Sequence, residues 1–463
     1  MKFHYSLKNS LTILVLFVFS NVQFSNAQTT QLIAPNNSFI TIKGINHVTF
    51  NTTGEIAYLN RFSSPFYTSA VPDRAKSQSG GIIRFKTNSP NVSVNFVNTL
   101  GGMTSKRNFK VYKDDNSSIT ETFTMATTPG FTSVKLVNTS GAYTTWNIVL
   151  PSLWGLDFTG ITIDAGTFLI ATTDPSPAPK KYIAIGDSIT HGVGQDDATQ
   201  TYPYILAQRM GWELCNLGIA GSKITATMGN ESIIEQADVV TVLWGFNNWN
   251  GSDTMDNVEL NYKTLITNLR TKNPTAEIYC IMPTYTTKIN TPDYPATNPR
   301  IQPFDDLRTA ERKAVNDLKG SSSTLLNKNK IYIIEGGVLT TAADLSDVVH
   351  LNVVGAARFG ANLKTEMILL NPSLSATNYK GTNSKSVMLY PNPVSNNTLT
   401  ISALDSQDLV SIQLFDLSGK LVYASKLFQL ENQTIDLNGI QKGTYLTKIL
   451  GRKSNFSQIV QIN

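Results

Sequence analysis

A serine placed on the turn that leaves a buried strand constrains this chain more than any other feature. Residues 182–185 (Tyr-Ile-Ala-Ile) form an apolar run that predicts a buried strand, and residues 186–190 (Gly-Asp-Ser-Ile-Thr) follow at once. Far downstream, residues 347–350 read Asp-Val-Val-His. A serine, a histidine base and a carboxylate that orients the base are the minimum set for serine acyl-transfer chemistry.

Length and composition indicate a globular, multidomain protein. The 463 residues predict about three domains, and contents of 41% hydrophobic and 15% charged residues do not suit a disordered chain. Removing Lys2 and Lys8 from the 38 basic residues leaves 36 against 33 acidic ones. This near balance, with no dense basic run, does not suggest nucleic-acid binding.

The first 27 residues predict a secretory signal peptide. Lys2 and Lys8 flank an apolar run over 11–19, and Ser-Asn-Ala at 25–27 forms a cleavage site before Gln28. A membrane anchor needs roughly 20 apolar residues, and this run is shorter. We therefore expect a secreted chain with no integral membrane segment after signal removal.

Residues 30–173 predict an N-terminal β-sandwich. Short alternating runs recur between Asn, Ser, Thr and Gly clusters, with no competing helical period. A Pro-rich linker follows at 174–179. The aromatic residues of this region either stack on sugar rings or pack in the core, and the sequence leaves both open: Tyr143, Trp146, Trp154 and Phe158.

Residues 180–370 change to alternating strands and helices, which predicts a mostly parallel sheet covered on both faces. Ligand sites in such sheets lie at the carboxyl ends of the strands, where Ser188 falls.

A helix over 258–272 is expected to bury Leu260 with its other leucines. In a sheet of order 2-1-3-4-5, Cys215 and Cys280 lie on non-neighbouring strands, so we expect free thiols. The strand-like runs are 182–185, 214–219, 239–244, 278–282 and 331–334.

The C-terminal part, after a polar linker at 371–386, is again β. Residues 387–463 contain Tyr-Pro-Asn-Pro at 390–393, Asp-Leu-Ser-Gly-Lys at 416–420 and Lys-Gly-Thr-Tyr at 442–445. These motifs resemble the C-terminal sorting domain of the type IX secretion system, although Gln458 stands where a basic residue is usual. The resemblance implies the type IX machinery as a partner and export to the surface or medium of a Gram-negative bacterium. The alternative is a small adhesive β-sandwich.

Four sequence blocks within 180–370 resemble the SGNH (GDSL-type) hydrolases. They are 186–190, 216–222 (Asn-Leu-Gly-Ile-Ala-Gly-Ser), 245–248 (Gly-Phe-Asn-Asn) and 347–350. Each is weak alone, and four in order are specific. The resemblance implies a flavodoxin-like, three-layer α/β catalytic domain, here flanked by N-terminal and C-terminal β-sandwich domains.

The family pattern implies a role for each matching residue. Ser188 is the nucleophile, and its N–H forms the oxyanion hole with the Gly221 N–H and the Asn247 side-chain amide. His350 is the base, since His47 lies in another domain and His191 lies three residues after the serine. Asp347 orients the base, with Asp344 as the alternative.

The substrate-binding candidates are His191, Asn248 and Trp249. His191 is expected at the rim of the site or on the polar surface, and Asn248 replaces the Asp that is usual in the family. The His and Cys content is too small for a soft-metal site, and no Gly-x-x-x-x-Gly-Lys motif occurs, so neither a metal nor a cofactor is implied.

The sequence thus predicts a secreted serine esterase that removes acyl groups, acetyl first, from polysaccharide or oligosaccharide. One alternative is a lipid or aryl esterase, and one of another class is a carbohydrate-binding surface protein with a degenerate hydrolase domain. The polar, Pro-rich and Tyr-containing segment 284–304 favours hydroxyl-rich ligands over alkyl chains.

Overall fold

The protein is described by a computed structural model in which two compact units comprise residues 1–367 and 368–463. The first unit contains both the predicted N-terminal β region and the predicted α/β region. The structure describes residues 29–62, 72–100, 107–115, 118–173, 178–224, 237–251, 253–290, 303–376, 387–403, 409–416, 420–427, 432–451 and 455–463.

Two antiparallel sheets of six strands form the N-terminal part of the first unit. The first has the order β3-β4-β11-β6-β9, with β1 also paired to β11. The second has the order β12-β5-β10-β7-β8, with β2 also paired to β5. The strands are β1 Thr30–Ile33, β2 Thr41–Lys43, β3 His47–Phe50, β4 Ala57–Asn60, β5 Ile82–Thr87, β6 Asn91–Leu100, β7 Asn108–Lys113, β8 Glu121–Thr124, β9 Gly130–Val137, β10 Thr144–Val149, β11 Gly155–Asp164 and β12 Leu169–Ile170, and a short helix, α1, spans Pro72–Ala75.

Apolar side chains from both sheets share one hydrophobic core. Trp146, Trp154 and Phe158 are among them, each at most 1% exposed, so these three rings pack in the core and are closed to sugar stacking. Tyr143, in contrast, is 41% exposed.

A five-stranded parallel sheet with the order β14-β13-β15-β16-β17 follows, which confirms the 2-1-3-4-5 expectation. Each strand lies within a residue or so of its predicted run, because a sheet covered on both faces requires near-continuous apolar strands. Cys215 and Cys280 lie on β14 and β16 as buried free thiols. The strands are β13 Lys181–Gly186, β14 Glu213–Gly218, β15 Val239–Leu243, β16 Glu277–Ile281 and β17 Ile331–Ile334.

Helices cover the two faces of this sheet. The helices are α2 Ser188–His191, α3 Tyr202–Met210, α4 Phe246–Asn250, α5 Met255–Lys272, α6 Phe304–Lys319 and α7 Val353–Leu370, and one-turn 3-10 helices span Ala198–Gln200, Lys288–Asn290, Lys328–Lys330, Gly336–Val338, Ala342–Asp344 and Pro372–Ala376. Helices α5 and α6 share a core with Ile183 and Ile185 of β13. Helices α3 and α7 lie on the opposite face of the sheet, and their Tyr202 and Phe359 rings are 4.3 Å apart.

Leu260 of α5 is 62% exposed, so its predicted burial is wrong.

The second unit contains a sheet of seven strands in the order β21-β20-β23-β24-β18-β19-β22. Its pairs are antiparallel except β18 with β24, and its apolar side chains form a separate core. The Asp416 and Lys420 main chains are hydrogen-bonded across the predicted turn, at 2.9 Å. The strands are β18 Val387–Ser395, β19 Thr398–Ala403, β20 Leu409–Phe415, β21 Leu421–Lys426, β22 Asn432–Asp436, β23 Gly443–Gly451 and β24 Asn455–Ile462.

Several predicted segments lie outside the described residues. They are the signal peptide, most of both linkers (174–177 and 377–386) and most of the segment 284–304, namely 291–302. Among the helices that the structure describes, none combines the length and the apolar character needed to cross a membrane.

Glu311 of α6 is a buried carboxyl beneath the end of β15. It is 0% exposed, and no donor from the described residues reaches either of its oxygens. A Cβ added at Gly245 would overlap Glu311 Oε1, so the carboxyl packs directly against that glycine. Burial, together with the nearby Asp187 carboxyl, raises the pKa of Glu311 well above its usual value.

This burial predicts a pH-dependent stability defect that Glu311→Gln removes. Above the ordinary glutamate pKa the unfolded chain releases a proton that the folded chain keeps, so the stability of the wild type falls as pH rises. The free energy of unfolding of Glu311→Gln, relative to wild type, should therefore increase by up to about 1.4 kcal/mol per pH unit above about pH 4.5. Urea titrations from pH 5 to 8 measure this difference.

The matched control is Glu335→Gln, because the Glu335 side chain is 47% exposed and paired with Arg312. It should change the slope of stability against pH far less. If the free energies of unfolding of the wild type and Glu311→Gln changed in parallel with pH, Glu311 would ionise as freely in the folded chain as in the unfolded one.

Candidate active site

The site begins at the turn between β13 and α2. Ser188 is the first residue of α2, and Asp187 caps the helix by accepting the Ile189 N–H at 3.1 Å. A Cβ at Gly186 would overlap Leu243 O and the Thr190 hydroxyl, so only glycine fits this strand end. The Asp187 cap and the close packing at Gly186 together fix the position of Ser188 at the carboxyl end of the central strand. Burial raises the pKa of Asp187 to about 6.

The structure brings Ser188, His350 and Asp347 into one hydrogen-bonded chain. His350 Nε2 lies 2.9 Å from Ser188 Oγ, and His350 Nδ1 lies 2.6 Å from Asp347 Oδ2. When Nδ1 carries a proton for the carboxylate, Nε2 is left free to accept the hydroxyl proton of the serine. This geometry is suited to activating Ser188 as a nucleophile.

Asp347 is held by its own loop. Its Oδ1 accepts the N–H groups of Val349 at 2.9 Å and His350 at 2.8 Å. Partial burial alone raises the pKa of Asp347, but the hydrogen bonds from the His350 ring and from these two N–H groups outweigh it and leave the pKa below its usual value. Asp347 is thus an acceptor at neutral pH.

The neighbouring Asp344 has different partners. Its side chain is 1% exposed, accepts from Arg358 Nη1 at 2.6 Å and completes a capping box with Thr341. Both oxygens are therefore occupied by structural contacts, and the alternative that Asp344 orients His350 is not supported by the geometry.

The three proposed oxyanion donors follow three adjacent strands. Ser188, Gly221 and Asn247 come after β13, β14 and β15, whose ends are level because Gly186 pairs with both Gly218 and Leu243. Within the described residues, the Ser188 and Gly221 N–H groups donate to no protein acceptor. Asn247 Nδ2 donates to Ser222 O at 2.9 Å, which uses one of its two hydrogens.

The expectation that His191 lies at the rim of the site or on the surface is wrong, because the side chain is 0% exposed. Its Nδ1 accepts the Ala220 N–H at 3.0 Å, which leaves the proton on Nε2, facing Ser152 O at 2.9 Å and Ser77 Oγ at 2.7 Å. Burial, and then the Arg61 charge, lower the pKa of His191 well below its usual value. This neutral ring supports the loop before Gly221 from inside the protein.

Asn248 and Trp249 are likewise buried, each at 1% exposure, so neither is placed to contact substrate. Asn248 accepts the Ile224 N–H at 2.8 Å and donates to Ile224 O at 3.1 Å, and an ionised Asp here would lack the second of these bonds. The Trp249 ring packs against Phe304, with centroids 4.8 Å apart. Both residues stabilise the strand-end loops.

Sequence reasoning missed the arginines of the N-terminal part that reach this site. Arg61 is 0% exposed and donates to the main-chain oxygens of Asn216 and Gly218. Arg74 donates to Ala220 O. These partners are separated by roughly 150 residues along the chain, and no local pattern around either arginine marks the contact.

Among the described residues, no group of three or more His, Cys, Asp and Glu side chains is arranged to hold a metal ion.

Comparisons with known families agree with the two resemblances. Residues 184–358 match the GDSL-like Lipase/Acylhydrolase family. Residues 388–463 match the secretion system C-terminal sorting domain, which indicates type IX secretion to the cell surface or outside. No curated protein matches the sequence.

Solved structures share the fold at low sequence identity. A salicylyl-acyltransferase from a tetracycline biosynthetic pathway has a TM-score of 0.62 at 18% identity, covering 74% of this chain and 97% of that one. A GDSL-like lipase from Bacteroides ovatus has a TM-score of 0.58 at 17% identity, covering 74% and 98%. An acetyl xylan esterase from the rumen bacterium Butyrivibrio proteoclasticus has a TM-score of 0.51 at 13% identity, covering 76% and 99%.

The strand-end serine and the family match over 184–358 agree on one assignment, and the solved structures share its fold. The chain carries a GDSL-like lipase/acylhydrolase domain that acts as a carboxylic ester hydrolase, followed by a C-terminal type IX sorting domain.

Proposed function

We propose that this protein is a secreted serine esterase that removes acetyl groups from polysaccharide or oligosaccharide, with Ser188, His350 and Asp347 as its catalytic residues. The observation that carries the mechanism is the continuous chain from Asp347 Oδ2 through His350 to Ser188 Oγ, at 2.6 and 2.9 Å.

The reaction follows from this chain. His350 Nε2 takes the hydroxyl proton as Ser188 Oγ attacks the ester carbonyl, and the Ser188, Gly221 and Asn247 donors hold the resulting oxyanion. His350 then protonates the leaving sugar oxygen. The same ring then takes a proton from water, which attacks the acyl-serine, and acetate is released as Ser188 Oγ leaves and receives that proton from His350. Asp347 stabilises the His350 imidazolium that forms during acylation and again during deacylation.

Two cavities lie near the serine turn, and the larger one supports a polar alcohol. A cavity of about 10 Å³, room for about one water, adjoins the serine turn between Asp187, Ile189 and Val349. A larger space of about 420 Å³ shares Phe304 with it, and its lining mixes aromatic, polar and charged side chains: Tyr285, Thr286, Ile289, Pro303, Phe304, Asp305 and Arg308. Such a lining suits a hydroxyl-rich ligand better than an alkyl chain.

The substrate class and the domain arrangement draw on two further observations. The acetyl xylan esterase among the fold neighbours acts, by its name, on acetylated xylan. The two sheets of residues 30–173 share one core, as do the strands of 387–463. We infer a catalytic α/β domain over 180–370 between two β-sandwich domains, with a substrate met outside the cell.

The first test of the mechanism removes each member of the chain of hydrogen bonds. Ser188→Ala and His350→Ala should each lower kcat for an acetyl ester by about 10³-fold or more, because the two residues act as a unit. Asp347→Ala should retain about 10-fold more activity than these, because Asp347 orients the base without transferring the proton. Steady-state kinetics on an aryl acetate provide the comparison.

His47→Ala is the matched control, since it removes a histidine of the N-terminal sheets, and it should keep wild-type kcat. The assignment fails if Ser188→Ala turns over at more than a few per cent of the wild-type rate, or if His191→Ala damages kcat more than His350→Ala does.

The acyl-chain preference tests the substrate proposal. Each methylene buried in an apolar channel would add about 0.8 kcal/mol, so a lipid esterase gains efficiency with chain length. The polar and charged lining of the larger cavity predicts the reverse: kcat/KM should be highest for acetyl esters and fall steeply by about eight carbons. The ratio of kcat/KM for acetyl and octanoyl esters of one alcohol is the measurement, and a value below one favours the lipid-esterase alternative.

Export provides an independent test of the C-terminal domain. A chain ending at Ser386 keeps α7 and the whole first unit, and it should remain an active esterase when purified. In the bacterium that makes the protein, this truncated chain should accumulate in the periplasm. Its normal appearance at the surface or in the medium would refute the sorting role for residues 388–463.

A further inference from the structure

The peptide that joins Ala220 to Gly221 is held from the side opposite its N–H. Arg74, on α1, donates from Nη1 to Ala220 O at 2.9 Å. The oxygen and the hydrogen of a trans peptide point in opposite directions. A donor fixed on Ala220 O therefore sets the direction of the Gly221 N–H.

The preceding peptide is fixed as well. The Ala220 N–H donates to His191 Nδ1 at 3.0 Å, and Ser222 Oγ donates to Ile219 O at 2.7 Å. Gly221 itself has a φ of 80°, in the left-handed region that favours glycine. The loop from Ile219 to Ser222 is thus restrained at each main-chain group that could let the Gly221 N–H rotate.

The restraint originates in the N-terminal part of the unit. Arg61 donates to Asn216 O at 2.6 Å, to Gly218 O at 2.9 Å and to Arg74 O at 2.9 Å, so it joins β14 to α1. Ser77 accepts from the buried His191 ring and donates to Arg74 O at 2.8 Å. Arg61, Arg74 and Ser77 therefore form one support behind the loop.

We propose that Arg74 is a positioning residue for ester hydrolysis, which aims and polarises the Gly221 N–H toward the oxyanion, with Arg61 holding Arg74 and the end of β14 in place. This inference rests on the proposed function, because it requires the Gly221 N–H to be an oxyanion donor. It assigns the N-terminal β part a role in the chemical step, separate from any contact with substrate.

The expected effect lies in kcat. A complete loss of one oxyanion donor lowers kcat by about 10²- to 10³-fold, so a donor that is misdirected but present should cost roughly tenfold. Arg74→Met removes the hydrogen bond to Ala220 O and keeps a side chain of similar length. KM should change by less than about twofold, because the oxyanion forms only in the transition state.

The decisive measurement compares an ester with the matching thionoester, in which sulfur replaces the carbonyl oxygen. Sulfur accepts hydrogen bonds poorly, so a well-aimed oxyanion hole favours the oxygen ester, and a damaged one loses this preference. In Arg74→Met the ratio of kcat/KM for oxygen ester over thionoester should fall by roughly tenfold, and Arg74→Lys, which keeps a cationic donor, should restore part of it. The ratio does not depend on the fraction of enzyme that is folded.

Arg84→Met is the matched control. Arg84 is a buried arginine of β5 in the same N-terminal part, and it donates to Asp115, Asn147 and Thr173 O. This variant should lower the melting temperature and leave the ratio at the wild-type value. Arg74 is the primary test because Arg61, at 0% exposure, is the arginine whose replacement endangers folding.

The outcomes separate the inference from the proposed function. A wild type that discriminates between the two esters, together with an Arg74→Met variant of unchanged ratio, overturns the positioning role and leaves the esterase intact. An equal fall in kcat for both esters also overturns it. A wild type that hydrolyses no ester overturns the proposed function and this inference with it.

Discussion

The parallel pairing of the three central strands is the constraint on which the rest of the site depends. Gly186 at the end of β13 pairs with Gly218 of β14 on one side and with Leu243 of β15 on the other. Parallel register places all three strand ends at one level, so the loops that follow start from a common edge. Ser188, Gly221 and Asn247 are distant in sequence, and this register places them along one edge of the sheet. A slip of one residue in any of these strands would move its loop out of this alignment.

The glycines at this edge are part of the same constraint. A Cβ at Gly218 would overlap the main chain of His191, and one at Gly186 would overlap Leu243 O. The turn after β13 therefore packs on the end of β14 without an intervening side chain. That close packing orders Ser188 before any substrate arrives, which is what a site stabilising a developing charge requires.

The strands were predictable from sequence because their signals are local, whereas the grouping of Ser188 with Asp347 and His350, more than 150 residues away, came from the resemblance of four sequence blocks to the SGNH hydrolases. Buried parallel strands are continuous apolar runs, and a serine after the first run marks the carboxyl edge of the sheet. The environments of Asn248 and Trp249 were not predictable. Their burial comes from segments far along the chain, such as the first turn of α6 at Phe304, and the sequence near each residue carries no trace of that contact. Burial of a polar group is a property of the assembled fold.

The parts of the chain on either side of the linker at 174–179 are joined by buried hydrogen bonds. Arg61 carries a guanidinium out of water, which is costly unless its donors find acceptors. The carbonyls of Asn216 and Gly218, on the far side of the linker, supply them at 2.6 and 2.9 Å. Without the N-terminal part, these strand-end oxygens would face water, and the loop carrying Gly221 would lose its backing. Residues 1–367 are accordingly one compact unit, in which the β part supports the loop that carries Gly221 through Arg61 and Arg74.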